Sequence, residues 1–480
     1  MAFGDEGKGS FVDYLARRIG AAAVVRYNGG SQASHTVVTA AGETHRFAQL
    51  GSASFLPGCR TVLSANTVVN PDNLIVETAA FSRLTGVPVP EIVARLRAHE
   101  DCLVVTPYHK LLNRLRELSL GGERRGSVGS GVSEAPRVVW DAPPERRETL
   151  SVRIRDVAGF GETDALAEKL SALRETVTEF YAAHKAAIER NLPPPLREPI
   201  DRERAFLFAP DSPRVLYRDY VNKFRVPNGG VSFPNCVIRR GEPLLAPGEA
   251  AVFEGAQGLL LDRDRGIRPN TTCLDTSAAY AKTLSAGRRA RTLGAVKAFY
   301  TRHGPGVFPT ESSEVAARIR DENQDASFWN GAIRFGWFDS VLLRYAQRVN
   351  GAEALCVSAL DCLGGFESLS VAEAYTYEGP VDAAFERLFS FSPRPGGALI
   401  RDILQNGPRL GEYLRRCRPL YRILPGWREP LAGIRDPAKL PPAAWTYLRT
   451  LEALTGLPVA AVSVGPTAED KLALRPEYLS

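Results

Sequence analysis

GDEGKGSFVDYLARRIGAAAVVRYNGGSQASHT, residues 4–36, decides the fold class of this chain. The glycines of GDEGKG (Gly4 to Gly9) let backbone N–H groups approach a ligand, and SFVDYLARRI (10–19) carries apolar residues at helical spacing. A helix that starts directly after a glycine-rich loop points its free N–H groups at an anion. There Lys8 can sit on a phosphate, and Asp5 can hold a magnesium ion or act as a base. The GxxxxGK[ST] spacing of a Walker A loop is absent. Next, AAAVVRYNGG (21–30) reads as a buried strand ending in a Gly-Gly turn. RYNGGSQASHT (26–36) is then a binding loop after a strand, where ligand sites of α/β proteins lie. His35 in that loop can be a general acid on a phosphate oxygen.

The same alternation continues downstream. AVFEGAQGLLLD (251–262), RTLGAVKAFYT (291–301), AEALCVSALD (352–361) and PVAAVSVG (458–465) are apolar runs bounded by Gly, Pro or Asp. Helical patterns such as DSVLLRYAQRV (339–349) and AWTYLRTLEAL (444–454) separate them. Strands alternating with helices predict an α/β fold, a large and mostly parallel central sheet flanked by helices. An amphipathic helical stretch is expected between about 160 and 190, then an irregular Pro-rich segment over 192–220. No internal repeat or clear linker is evident, so one large domain with inserted subdomains is expected.

Composition sets the outer limits. The 480 residues are 44% hydrophobic and 24% charged, which excludes bulk disorder and low-complexity architecture. A net charge of +6 over this length favours small phosphate-bearing molecules and gives no footprint for nucleic acid. No apolar run reaches membrane-spanning length, and MAFGDEGKGS lacks the layout of a secretory signal. The 7 cysteines are odd in number and form no CxxC pair, so mostly buried thiols in a reducing cytoplasm are expected rather than disulfides.

A third constellation is FEGAQG (253–258) with RGIRPNTTCLDTS (265–277) beyond it. Gln257 at a strand end can orient a reacting amide or base edge, because an amide both donates and accepts. Thr272 offers a hydroxyl to a phosphate. Taken singly, these pieces also read as a surface turn, a structural histidine and a capped strand end. Their order is more telling. GDEGKG, GG-x-x-A-x-HT, EGAQG-x-x-LD, VKAFYTRHGPGVFPTE (296–311), GW-x-D (336–339), LPGW (424–427) and VSVGP (462–466) together resemble the adenylosuccinate synthetase family. The likeness runs from residue 3 to about 470 and is weakest near 185–245 and 375–420.

That resemblance implies one family domain over 1–480, of P-loop-like architecture, with a divergent insert region at 185–245. It also implies a reaction. GTP phosphorylates the 6-oxo group of IMP, and the amino group of aspartate then displaces the phosphate. Asp5 matches the family's base and magnesium ligand, His35 its acid, Lys8 its phosphate lysine, and Gln257 the glutamine at the 6-position. Gly4, Glu6, Gly7, Gly9 and Thr36 fall in the nucleotide-phosphate loops, with Gln32, Ser127 and Thr272 on the IMP phosphate side. Asp361, Ser463 and Gly465 match the guanine site. Ser34 falls where a carbonyl ligates Mg2+. GTP as co-substrate, purine-nucleotide and amino-acid substrates and a homodimer follow, with Arg146, Arg147 or Arg153 as the arginine lent across the two-fold axis.

The departures carry information too. Gln32 stands where the family has asparagine, Val128 where it has threonine, and Ala359 where it has the lysine of KLD. Most of all, FWNGAIRFGW (328–337) replaces TTGRxRRxGW, so Gly331 and Ile333 fall where arginines grip the carboxylates of aspartate. Either Arg302 and Arg334 take over, or the amine is not aspartate. A diverged paralogue with another amine or nucleotide, and a nucleotide-binding regulatory protein without ligation, are the alternatives. Only Met1-Ala2-Phe3 precedes GDEGKG, where the family has an apolar strand, so an in-frame apolar run of about five to seven residues is expected upstream.

Overall fold

The structure, a computed structural model, describes residues 1–160, 164–225, 232–319 and 328–480. Residues 161–163 of the expected helical stretch and 226–231 of the 185–245 region lie outside these. The chain forms two compact units, one of residues 1–20, 35–46 and 257–480, the other of residues 21–34 and 47–256.

In the second of these, five parallel strands lie in the order Val237–Ile238, Leu96–His99, Arg60–Leu63, Ala23–Arg26, Ala251–Glu254. Val25 stands in register with Val62 on one side and Phe253 on the other. The Ala23–Arg26 strand is buried throughout, as a strand covered on both faces must be. The expected amphipathic stretch is the helix Leu166–Asn191.

The Pro-rich segment that follows corrects the expectation of irregular chain over 192–220. It forms two helices, Pro194–Phe208 and Ser212–Phe224, which bury Ile200, Leu207, Leu216, Tyr220 and Phe224. Each carries proline in its first turn, where the missing N–H costs no hydrogen bond. Those prolines open helices here.

The other unit holds the parallel strands Leu293–Lys297, Ala354–Ser358 and Val459–Ser463, with Lys471–Ala473 antiparallel at the edge. Its core joins Leu355, Val357, Val459 and Val462 to Phe338, Leu342, Tyr447 and Leu451. A mainly antiparallel sheet built on the long strand Ser368–Glu378, with Phe338–Asp339 parallel to it, completes it, and the sequence pattern did not signal that sheet.

Two of the ordered motifs serve this packing rather than chemistry. Asp339 of GW-x-D is fully buried, caps the helix Ser340–Asn350 through Leu342 N (3.0 Å) and accepts from Tyr375 Oη (2.6 Å). Trp427 of LPGW is buried edge-on to Tyr447, ring centroids 6.3 Å apart.

Candidate active site

The helix Lys8–Ile19 starts where GDEGKG ends, as its periodicity requires. Gly7 caps it in the left-handed region (φ 70) without a side-chain hydrogen bond, and the N–H groups of a helix N-terminus suit an anion. The loop before it also holds Gly4 (φ 86) and Asp5 (φ 57) there. For aspartate this backbone is uncommon and costs energy that the surrounding structure must supply, a pattern concentrated at functional sites.

Two glycines show how closely the loop is pressed to its neighbours. A Cβ on Gly9 would lie 2.8 Å from His35 Cβ and 3.0 Å from the His35 carbonyl carbon. One on Gly7 would lie 2.7 Å from Ser358 Cβ. Ser358 underpins the loop, donating to the carbonyls of Glu6 (3.1 Å) and Val296 (3.3 Å). His35 is buried and begins the strand His35–Val38, which includes Thr36. Gln257 lies against Gly4 in the left-handed region (φ 63), and its buried Oε1 has no hydrogen-bond partner among the described residues. Thr272 is buried, its N–H donating to Leu261 O (2.8 Å).

Asp5 is the electrostatic centre. Burial works against its charge, yet Lys297 Nζ at 3.0 Å overrides that and holds the carboxyl below its ordinary range. His303 Nε2 stands 4.0 Å from the same oxygen, and Lys8 adds positive potential. The sequence reading missed Lys297, His303 and Ser358. A lysine at the carboxyl end of a half-buried parallel strand was the available signal for the first. Lys8 Nζ lies 3.7 Å from Glu6, which is itself buried and accepts from the backbone N–H of Ala2.

Asp361 opens a turn after the Ala354–Ser358 strand, and burial raises its carboxyl above the usual value despite nearby Lys471. Ser463 Oγ donates to Gly465 O (2.7 Å) at the end of the next parallel strand.

The arginines of the amine loop are both engaged. Arg302, 1% exposed, donates to Val307 O (2.7 Å) and Asn270 O (3.5 Å), with its guanidinium 4.3 Å from the Phe3 ring centroid. Arg334 donates to Gly304 O (3.1 Å) and Gly306 O (2.7 Å) and pairs with Glu311 (2.7 Å).

The remaining candidates belong to the other unit. Both amide atoms of Gln32 and the Ser31 hydroxyl are buried without hydrogen-bond partners among the described residues. Ser127 Oγ donates to Asn113 Oδ1 (2.9 Å), Val128 is exposed, and so is Ser34. Arg147 and Arg153 donate to the carbonyls of Ala142 (3.2 Å) and Asp101 (2.8 Å), while Arg146 is exposed. Among the described residues no three His, Cys, Asp or Glu side chains cluster for a metal, and no helix is long and apolar enough to cross a membrane.

A family model described as Adenylosuccinate synthetase matches residues 1–192 and 241–472. The chain belongs to the adenylosuccinate synthetase family. It is a GTP-dependent ligase of that type. Adenylosuccinate synthetase of Desulfitobacterium hafniense is 31% identical over 98% of this chain and 96% of its own length. That of Acidithiobacillus ferrooxidans is 33% identical over 99% and 97%. The fold agrees with the fully ligated adenylosuccinate synthetase of Plasmodium falciparum, TM-score 0.71 at 19% identity, covering 98% of this chain and 97% of that one. A cyanophage S-2L succinoaminodeoxyadenylate synthetase, bound to dGMP and dATP, matches at TM-score 0.54 and 16% identity, covering 99% and 97%.

Proposed function

We propose that this family member phosphorylates the 6-oxo group of an IMP-like purine nucleotide with GTP and lets an amine displace the phosphate, forming a C–N bond. The ionised Asp5, held by Lys297 in a loop pressed against His35 and Gln257, is the observation that carries this reading. A lactam oxygen is a poor leaving group, and phosphorylation makes it a good one.

Asp5 takes the proton from the ring N1, leaving the 6-oxygen as nucleophile towards the γ-phosphorus. Lys8 and the N–H groups opening the Lys8–Ile19 helix hold the phosphates. His35 donates to a phosphate oxygen as charge moves onto the leaving diphosphate, and the Gln257 amide, whose Oε1 has no partner among the described residues, holds the 6-substituent. Gln32, Ser127 and Thr272 are assigned to nucleotide phosphate. One ionised carboxylate beside a phosphate loop suits magnesium, which completes its shell with phosphate oxygens and water. Asp5 would hold it, where it would neutralise phosphate charge. Ser34, the second ligand implied by resemblance, contributes a backbone carbonyl in that assignment.

The amine loop favours a diverged member whose amine is not aspartate, because Arg302 and Arg334 are both committed within the chain. A cytoplasmic homodimer completes the proposal. The test is phosphate release from GTP, with and without IMP, across a panel of amino acids. IMP- and amine-dependent release supports the reading. Nucleotide binding without release under every combination defeats it.

A further inference from the structure

His303 ends the strand Tyr300–His303, which pairs antiparallel with Ile333–Gly336 of the amine loop. Side chains alternate between the two faces of such a ribbon. Arg302 and Arg334, opposite each other, take one face; His303 and Ile333, opposite each other, take the other. From there His303 Nε2 stands 4.0 Å from Asp5 Oδ2, the oxygen that accepts from Lys297 Nζ at 3.0 Å. That separation is too long for a hydrogen bond. His303 makes no hydrogen bond to any other described residue. Its side chain is 37% exposed and that of Asp5 25%, so both can be reached from outside.

Two groups at this spacing leave room for one nitrogen to touch both. A nitrogen about 2.8–2.9 Å from each would see them at roughly 90°, bending each N–H···acceptor line by only about 10° from straight. Both groups can accept. The carboxylate oxygen keeps a lone pair after Lys297 has taken one, and an imidazole nitrogen offers its own. The facing residues of the amine loop add no charge, since Ile333 is apolar and position 331 is glycine. Among the described residues, a Cβ at 331 would find only Gly304 Cα within 4 Å, at 3.9 Å. Open space therefore adjoins the residue next to His303, on the side where the substituent of an amine would lie.

We propose that His303 selects and aims the incoming amine. Its Nε2 and Asp5 Oδ2 both accept from the amine nitrogen, so the site takes a small primary amine by its nitrogen and needs no carboxylate on it. The inference rests on the reading that Asp5 is the base of the ligation.

The full chain with IMP and GTP tests this in two steps. Single-turnover GDP formation without amine reads the phosphorylation. Steady-state phosphate release with methylamine, which has no carboxylate, and with L-alanine, which has one, reads amine capture. His303→Leu should leave the first step unchanged. It should raise the apparent constants for both amines alike by about 10–100-fold, the range for a hydrogen bond to a charged group. His303→Gln, whose amide oxygen accepts, should recover part of that loss. A rise confined to L-alanine would make His303 a carboxylate anchor and overturn the proposal, as would unchanged constants for both. Loss of GDP formation in His303→Leu also overturns it, because the residue would then serve phosphorylation. Wild type that forms GDP but is stimulated by neither amine overturns it too. No GDP from wild type at all would defeat the ligase reading itself.

Discussion

Arg302 and Arg334 stand directly opposite each other across the antiparallel ladder of Tyr300–His303 and Ile333–Gly336. Like charges facing across a ladder repel, and burial with that repulsion brings Arg302 down to about 9. The pair persists because each guanidinium has acceptors: Val307 and Asn270 for one, Gly304, Gly306 and Glu311 for the other. Together they pin the 304–307 turn. Most of each fork is thereby engaged, with Arg302 Nε left without a hydrogen-bond partner among the described residues.

Aspartate should therefore saturate the enzyme weakly. Recognition of each carboxylate normally takes an arginine, and Gly331 and Ile333 supply none. Each lost charge-assisted hydrogen bond costs about 1.5–3 kcal/mol, so the apparent aspartate constant should rise by roughly two to four orders of magnitude. Amines with fewer charges or an apolar portion should be preferred. Steady-state kinetics with IMP and GTP decides; aspartate saturation below about a millimolar would show that the ordinary amine is used after all.

Replacing Asp5 with asparagine should lower turnover by about 10²–10⁴-fold while leaving nucleotide binding near wild type. Lys297→Met should lower turnover in the same direction, because it removes the 3.0 Å partner that keeps Asp5 ionised against burial. Single-turnover phosphate release beside nucleotide titration separates the two effects. Wild-type turnover in Asp5→Asn would refute the assigned base.

Much of this site was legible because chemistry and backbone coincide in short motifs. In GDEGKG glycine fills the left-handed positions 4 and 7, with Asp5 the exception, and the close approaches of Gly7 to Ser358 and Gly9 to His35, so the motif largely spells out its own geometry. The buried strands Ala354–Ser358 and Val459–Ser463 announced themselves as unbroken apolar runs. The helices of 194–224 did not, since proline reads as a breaker until its place in a first turn is known. Lys297, His303 and Ser358 reach the loop from about 290 residues or more away in sequence, and beyond the strand-end place of Lys297 no local pattern marks such contacts. Nor could the sequence show that Arg334 is spent on Glu311.

The stability of the protein should carry a pH signature from Asp339. Burial pushes its carboxyl up to about 6, against about 3.9 in an unfolded chain. The native state thus holds a proton that the unfolded state releases earlier. The resulting stabilisation is complete below about pH 4 and lost as pH rises through about 6, on the order of 2–3 kcal/mol in all. Asp339→Asn keeps a cap acceptor for Leu342 N and should remove this component. Denaturant melts of both proteins across that range check it; parallel pH curves would contradict the assignment.

If the enzyme is a homodimer that shares an arginine, Arg146 is the candidate donor, because Arg147 and Arg153 are bonded within their own chain. Arg146→Ala should raise the apparent constant for the purine nucleotide and leave the melting temperature unchanged. Light scattering that finds a fully active monomer at micromolar concentration would remove the basis for this expectation.

Gly9→Ala separates the demands of the helix from those of the site. Gly9 is the second residue of the Lys8–Ile19 helix and has ordinary helical backbone, so alanine should gain about 0.5–1 kcal/mol of helix propensity. Its methyl, however, would lie 2.8 Å from His35 Cβ and 3.0 Å from the His35 carbonyl carbon. The second contact is backbone, so a rotamer change cannot relieve it and His35 must shift. Displacing a catalytic group by about 1 Å can cost on the order of 10²-fold in rate. The shift costs about 1–3 kcal/mol and outweighs the propensity gain, so the variant should melt somewhat below the wild-type temperature and lose turnover by about that factor. Gly7→Ala differs, because it combines a left-handed backbone (φ 70) with a 2.7 Å clash against Ser358, and should lose more stability along with turnover. Melting curves and phosphate release on the two variants give the comparison. Full turnover in Gly9→Ala would mean that His35 does not act from the place where this loop holds it.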